Sequence, residues 1–114
     1  MQGQVFAAGP VVATVGAAAL GLDLGVYVQR HLRGDFGTCG QYAEIDLTAD
    51  EALNGALATA EDGKLNVCAI RYGGRVLSAY DTPVGVLWIL TDGIEPGGNA
   101  GEDTYTTCLL PDEY

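Results

Sequence analysis

Arg75-Val76-Leu77-Ser78-Ala79-Tyr80-Asp81-Thr82-Pro83-Val84-Gly85-Val86-Leu87-Trp88-Ile89-Leu90-Thr91 is the stretch that decides the fold. Two runs rich in β-branched, aromatic and aliphatic residues, Arg75 to Tyr80 and Val86 to Thr91, flank Thr82-Pro83-Val84-Gly85. That pattern around a Pro/Gly turn predicts paired antiparallel strands. Pro83 has no amide hydrogen to donate, so it limits how far pairing extends. The second run is apolar at nearly every position, as a strand covered on both faces would be. Downstream, Gly93 to Gly101 contains Gly97-Gly98-Asn99 and reads as a flexible loop flanked by acids. Thr104 to Leu110 reads as the last strand, ended by Pro111. Upstream, Leu65 to Tyr72 reads as a further strand, turned back by Gly73-Gly74.

Helices are expected in the other half. Leu24, Tyr27, Val28, His31 and Leu32 recur at i, i+3, i+4, i+7 and i+8, with Asp23 at the N-cap position and Gly34 as the stop. Thr48-Ala49-Asp50-Glu51 matches a capping box, and Ala52, Leu53, Ala56, Leu57 and Ala60 continue it as an apolar stripe closed by Asp62-Gly63. Residues 35–47 read as a loop. Val11-Val12-Ala13-Thr14 is a short strand, and Ala17 to Leu20 a single helical turn. The uncharged run from Val5 to Leu22 is broken by Gly9, Pro10, Gly16 and Gly21, so it reads as core strand and turn and not as a membrane span. Met1-Gln2-Gly3-Gln4 lacks the basic start of a signal peptide. The expected architecture is one α+β domain over residues 1–114. Its antiparallel sheet has three or four strands, and two main helices pack on one face.

Charge narrows the function. Fifteen Asp/Glu oppose five Lys/Arg, a formal charge of −10 on 114 residues. Nucleic-acid binding is driven by Lys/Arg displacing phosphate counterions, so this balance argues against direct DNA or RNA binding. The same field attracts basic protein surfaces. The candidate partner-binding residues are Glu44, Asp46, Asp50, Glu51, Glu61, Asp62, Asp92, Glu95, Glu102 and Asp103.

No motif for catalysis, metal or cofactor emerges. His31 lies on a helical apolar stripe, where packing or hydrogen bonding is its expected role. Asp35 lies one turn on, but a general base would need a nucleophile as well as an orienting acid, and no Ser or Cys position is marked for that. Arg33-Gly34-Asp35 is read as a chance tripeptide. Gly97, Gly98 and Gly101 fit neither a P-loop nor a dinucleotide fingerprint, and no acidic segment has EF-hand spacing. Cys39, Cys68 and Cys108 form no C-x-x-C pair and read as reduced, mostly buried thiols, with one disulfide left open. Tyr72, Tyr80, Trp88 and Tyr105 are expected on strands, packing the core and sheet face.

Four ordered segments carry a family resemblance: Arg30-His31-Leu32-Arg33-Gly34-Asp35-Phe36-Gly37, Arg75-Val76-Leu77-Ser78-Ala79-Tyr80, Leu87-Trp88-Ile89-Leu90-Thr91, and Thr106-Thr107-Cys108-Leu109-Leu110-Pro111-Asp112-Glu113-Tyr114. Together they resemble a family of small bacterial proteins carried by plasmids, integrative elements and phages. Members are often labelled type I restriction–modification methylation subunits. This chain has no [DN]-P-P-[FYW] tetrad and no glycine-rich cofactor loop. It also departs from the family in Phe36 for Trp, and in segments near Gln41–Leu47, Leu65–Tyr72 and Ile94–Glu102 that read as insertions. The resemblance implies a mobile-element context and transfers no activity.

The expectation is therefore a non-enzymatic, cytoplasmic inhibitor in a bacterial host, without cofactor, metal or membrane. It would present carboxylates in place of DNA phosphates to a basic surface of a defence complex, as an anti-CRISPR or anti-restriction protein. Two alternatives stand beside it. One is a mobile-element accessory or regulatory protein acting as a homodimer. The other is a small ligand-binding enzyme using His31, Arg33 and Asp35.

Overall fold

The structure is a computed structural model that describes residues 3–114. Met1 and Gln2, half of the uncharged start noted above, lie outside the described residues. Four strands form one sheet: β1 (Val11–Ala13), β2 (Gly74–Thr82), β3 (Gly85–Glu95) and β4 (Asn99–Leu109), in the order β1-β4-β3-β2. Four α-helices accompany them: α1 (Val15–Ala19), α2 (Leu24–Leu32), α3 (Ala49–Asn54) and α4 (Asp62–Tyr72). Single 3-10 turns follow at Tyr42–Glu44, Gly55–Leu57 and Pro111–Glu113.

The α+β class holds, but the sheet is mixed. β2, β3 and β4 form the antiparallel meander, with Thr82 opposite Gly85 across the Pro83-Val84 turn, while β1 joins β4 in parallel. A tight turn forces its two strands to be antiparallel. β1 and β4 are distant in sequence, so no local turn fixes their relative direction. β1 is also an exposed edge, with Val11 and Val12 largely in solvent, and not the core strand expected from its composition.

Leu65 to Tyr72 is helix α4, not a strand. Its β-branched Val67 and Ile70 suggested extended chain, yet Gly63, Asn66, Val67 and Ile70 fall at helical spacing and are all buried. Gly73 ends this helix in the left-handed region (φ 95°), its N–H donating to Ala69 O at 2.8 Å, so Gly73-Gly74 leads from helix into β2 and makes no hairpin. The second packing helix is therefore α4. The expected helix from Ala52 to Ala60 stops early at Gly55, and its stripe stays outside: Leu53 is 84% and Leu57 91% exposed. The capping box at its start is present, with Glu51 N–H donating to Thr48 Oγ1 (3.2 Å) and Thr48 N–H to Glu51 Oε1 (3.0 Å).

The expected loop at 93–101 is instead the end of a hairpin. β3 runs to Glu95 and β4 starts at Asn99, with Glu95 opposite Asn99. Its glycines serve extended structure: Gly93 (φ 70°) sits where the register shifts between Asp92 and Ile94, and Gly97 and Gly98 make the turn.

The core lies between α2 and one sheet face. Val28, Leu32, Phe6 and Phe36 pack with Val76, Tyr80, Leu87, Ile89 and Cys108, and Ile70 of α4 reaches the same cluster. α2 ends at Gly34 as expected, but Asp23 makes no capping bond with its side chain. The outer edge of β2 is covered. Ala79 N–H donates to Phe36 O and Thr38 N–H to Ala79 O, while Asn66 of α4 grips Leu77, accepting from its N–H (3.0 Å) and donating to its carbonyl (2.8 Å). Asn66 thus stands in for a neighbouring strand's amide and satisfies an edge that would otherwise be open.

Candidate functional site

A polar row crosses the core. Ser78 on β2, Thr91 on β3 and Thr106 on β4 share the face under α2, and fully buried His31 sits among them. His31 Nδ1 is 2.6 Å from Ser78 Oγ and Nε2 is 2.8 Å from Thr91 Oγ1; Thr91 Oγ1 is 2.7 Å from Thr106 Oγ1, which donates to Ala8 O at 2.8 Å. The terminal carbonyl can only accept, which fixes the donors back to His31 Nε2–H, and the neutral state of the buried ring fixes Nδ1 as an acceptor. Thr106 donates to Ala8 O, Thr91 donates to Thr106, and His31 Nε2–H donates to Thr91. Nδ1 then accepts from Ser78. Burial lowers the His31 pKa to about 3, and the ring of Phe6 meets it edge-on at 5.0 Å. A neutral imidazole with both nitrogens engaged and no solvent contact is a structural element of the core.

Arg33 is exposed, and Asp35 is engaged elsewhere. Arg30 Nε donates to Asp35 Oδ2 (2.7 Å), and Oδ1 accepts from Gly37 N–H and Gln41 Nε2. Burial pushes the Asp35 carboxyl up, but these bonds outweigh it and hold its pKa below the ordinary carboxylate value. The Arg30 guanidinium lies over the rings of Tyr80 (4.7 Å) and Tyr27 (5.4 Å), and Tyr80 Oη donates to Asp35 O. This cluster ties the turn after α2 to β2. His31, Arg33 and Asp35 are not brought together.

The acidic residues divide by partner. Glu51 is buried at the base of α3, where two bonds from Lys64 Nζ and the Thr48 N–H keep its pKa below the ordinary value. Asp92 pairs with Arg75 Nε at 2.9 Å, and Arg75 in turn reaches Tyr114. Both carboxylates are committed internally. The other eight candidates are exposed, and only Glu61, 3.2 Å from Lys64, makes a salt bridge among the described residues.

Those eight form two groups. Glu44 and Asp46 line a concavity of about 240 Å³ with Glu61 and Lys64, next to Asp62 at the start of α4 and Asp50 in the first turn of α3. Glu95, Glu102 and Asp103 lie on the β3–β4 hairpin, which meets the other end of α4 where Gly97 N–H donates to Arg71 O. Eleven helical residues separate the two ends, about 16 Å. Comparison of the chain with protein-family models, curated proteins and solved structures finds no match.

The aromatics divide as well. Tyr80 is core, Trp88 packs edge-on against Tyr114 on the outer sheet face, Tyr105 is exposed, and Tyr72 is on α4 and not on a strand. Cys39, Cys68 and Cys108 are free thiols; Cys68 and Cys108 are buried, and burial pushes Cys108 up to about 11. Among the described residues no three His, Cys, Asp or Glu side chains gather where they could hold a metal ion, and no helix is long and apolar enough to cross a membrane.

Sequence reasoning missed an apolar groove of about 660 Å³ between α3 and α4. Leu65, Cys68, Ala69 and Tyr72, spaced i, i+3, i+4 and i+7, are its α4 wall. The signal was in the sequence, but it needs the helical period that a strand reading of 65–72 hides.

Proposed function

We propose that this chain is a non-enzymatic binding protein that sets carboxylates against a basic, nucleic-acid-binding surface of another protein, in the manner of a DNA-mimicking inhibitor. Its partner class is a host defence complex, in keeping with the resemblance to small mobile-element proteins. The observation that carries the reading is the pair of exposed carboxylate groups at opposite ends of α4, Glu44, Asp46, Asp50, Glu61 and Asp62 at one and Glu95, Glu102 and Asp103 at the other. Asp50 is mounted on a capped helix, Glu61 and Asp62 at a helix start, and Glu95, Glu102 and Asp103 on a paired hairpin, so their spacing is held before a partner arrives, while Glu44 and Asp46 lie on the 3-10 turn and loop beside them. Crowding like charges on a small domain costs stability through self-repulsion, which a cationic partner relieves.

The test is a pull-down from bacterial lysate at low and high salt. Duplex DNA serves as competitor, and a charge-neutral variant (Glu44→Gln, Asp46→Asn, Asp50→Asn, Glu95→Gln, Glu102→Gln, Asp103→Asn) runs beside the native chain. Nucleic-acid-binding proteins should be retained at low salt, released by DNA or high salt, and lost with the variant. Equal capture by the variant would remove the carboxylates from the interaction.

A further inference from the structure

We infer that the groove between α3 and α4 is a docking site for an amphipathic, basic helix of the partner, with apolar anchors in the groove and Lys/Arg at its ends. The inference rests on the acidic-surface reading above and adds the groove as the place where binding becomes specific. Ala52, Leu53 and Ala56 form one wall, and Leu65, Cys68, Ala69 and Tyr72 the other. Leu57 continues the apolar strip beyond the first wall, 91% exposed. α4 therefore has two apolar stripes. Gly63, Asn66, Val67 and Ile70 pack inward, while 65, 68, 69 and 72 run beside them, with Cys68 and Ala69 as the buried floor of the groove and Leu65 and Tyr72 left open to it. Gly55 holds the groove open by ending α3 with φ 51° and ψ −112°, a conformation that an L side chain resists. The Cys68 thiol contacts Glu51 O at 3.5 Å and fixes α3 to the groove floor.

Charge selects the occupant. The groove runs along α4, so the two carboxylate groups stand at its ends, Asp50, Glu61 and Asp62 at one and Glu95 with Glu102 at the other. Of the cations nearby, Lys64 at the start of α4 is paired with Glu51 and Glu61, Arg75 in the wall is paired with Asp92, and Arg71 is exposed near the other end. A second copy would bring a net charge of −10 against another −10. A helix with Leu-type residues at i, i+3, i+4 and i+7 and basic ends satisfies both the apolar walls and the acidic ends. The length of α4, about 16 Å, accommodates roughly three turns of such a helix.

The probe is a labelled helical peptide of about 18 residues built from Leu and Lys in that pattern. It is compared with a Ser/Lys peptide of equal charge and a Leu/Glu peptide. Anisotropy is read at low and high salt, and amide shifts locate the contact. The Leu/Lys peptide should bind at least about tenfold tighter than Ser/Lys, shifting residues 52–57 and 65–72. The double variant Leu53→Ser/Leu57→Ser should lose that advantage and keep the weak Ser/Lys binding; melting curves check that it folds. Equal affinity for Leu/Lys and Ser/Lys, both lost at high salt, would overturn the groove and leave the acidic surface standing. Leu/Glu binding as well as Leu/Lys would overturn the charge argument in both readings. Concentration-dependent dimers that the double variant abolishes would make a second copy the occupant and overturn the inference.

Discussion

Replacing His31 with glutamine should make the protein's stability less sensitive to acid. Free histidine titrates near 6.5, whereas burial holds His31 near 3 in the folded chain. Between those values the unfolded chain binds a proton that the folded chain refuses. The histidine's contribution is therefore complete above pH 6.5 and lost as pH falls toward 3, at about 1.4 kcal/mol per unit. From about pH 7.5 to about pH 4.5 it removes roughly 2.5–3 kcal/mol. Glutamine preserves the bonding polarity, because its carbonyl accepts where Nδ1 does and its amide donates where Nε2–H does, and it does not titrate. Urea unfolding of both proteins at the two pH values isolates the effect. The double difference cancels the carboxylates, which titrate in both, and any constant cost of the substitution. A stability gap that stays the same at both pH values would refute the argument. So would imidazole nitrogen shifts showing a protonated ring at pH 4.5 in the folded native protein, a measurement independent of whether the variant folds well.

Other substitutions probe the supports of the fold and the two surfaces. Asn66→Ala strands the Leu77 N–H and carbonyl at the β2 edge and should cost about 1–3 kcal/mol in urea unfolding, with faster aggregation seen by light scattering. Gly37→Ala places a methyl group against the Ala79 carbonyl at a positive φ of 64°, and should lower the melting temperature by several degrees through loss of more than about 1 kcal/mol. Thr48→Ala removes the capping box and should cost about 0.5–2 kcal/mol, with amide-exchange protection falling first in α3. Leu53→Ser, at an 84% exposed site, should change stability by less than about 0.5 kcal/mol; a large loss would mean that α3 packs differently.

The residues that announced themselves correctly were those whose physics is local. Thr82 to Gly85 carried its own turn chemistry, Thr48 and Glu51 their capping box, and Gly34 its helix stop. Three elements were hidden because their cause is not local. The direction of β1 depends on a partner strand more than ninety residues away. Leu65 to Tyr72 has strand-like composition, and its two helical stripes become visible only when the β2 edge and the groove are in place. Glycines 93, 97 and 98 looked like flexibility and instead build a bulge and a turn. Of the candidate surface, the sequence located the acids but not which were already taken. Glu51 and Asp92 are already paired within the chain because Lys64 and Arg75, distant in sequence, fold back onto them. α4 is built into the same core as α2 and the sheet, through Ala69 and Ile70.

The row from Ser78 to Ala8 also determines which alignment of the strands is tolerable. Each antiparallel strand places one hydroxyl under α2, and the helix contributes one ring to link them. Sliding β3 by two residues would keep its apolar side chains facing inward, so hydrophobic burial alone would barely object. The slide would nevertheless part Thr91 from both His31 and Thr106, leaving buried groups without partners at about 1–3 kcal/mol each. The four side chains work as a combination lock, and the meander closes in one register.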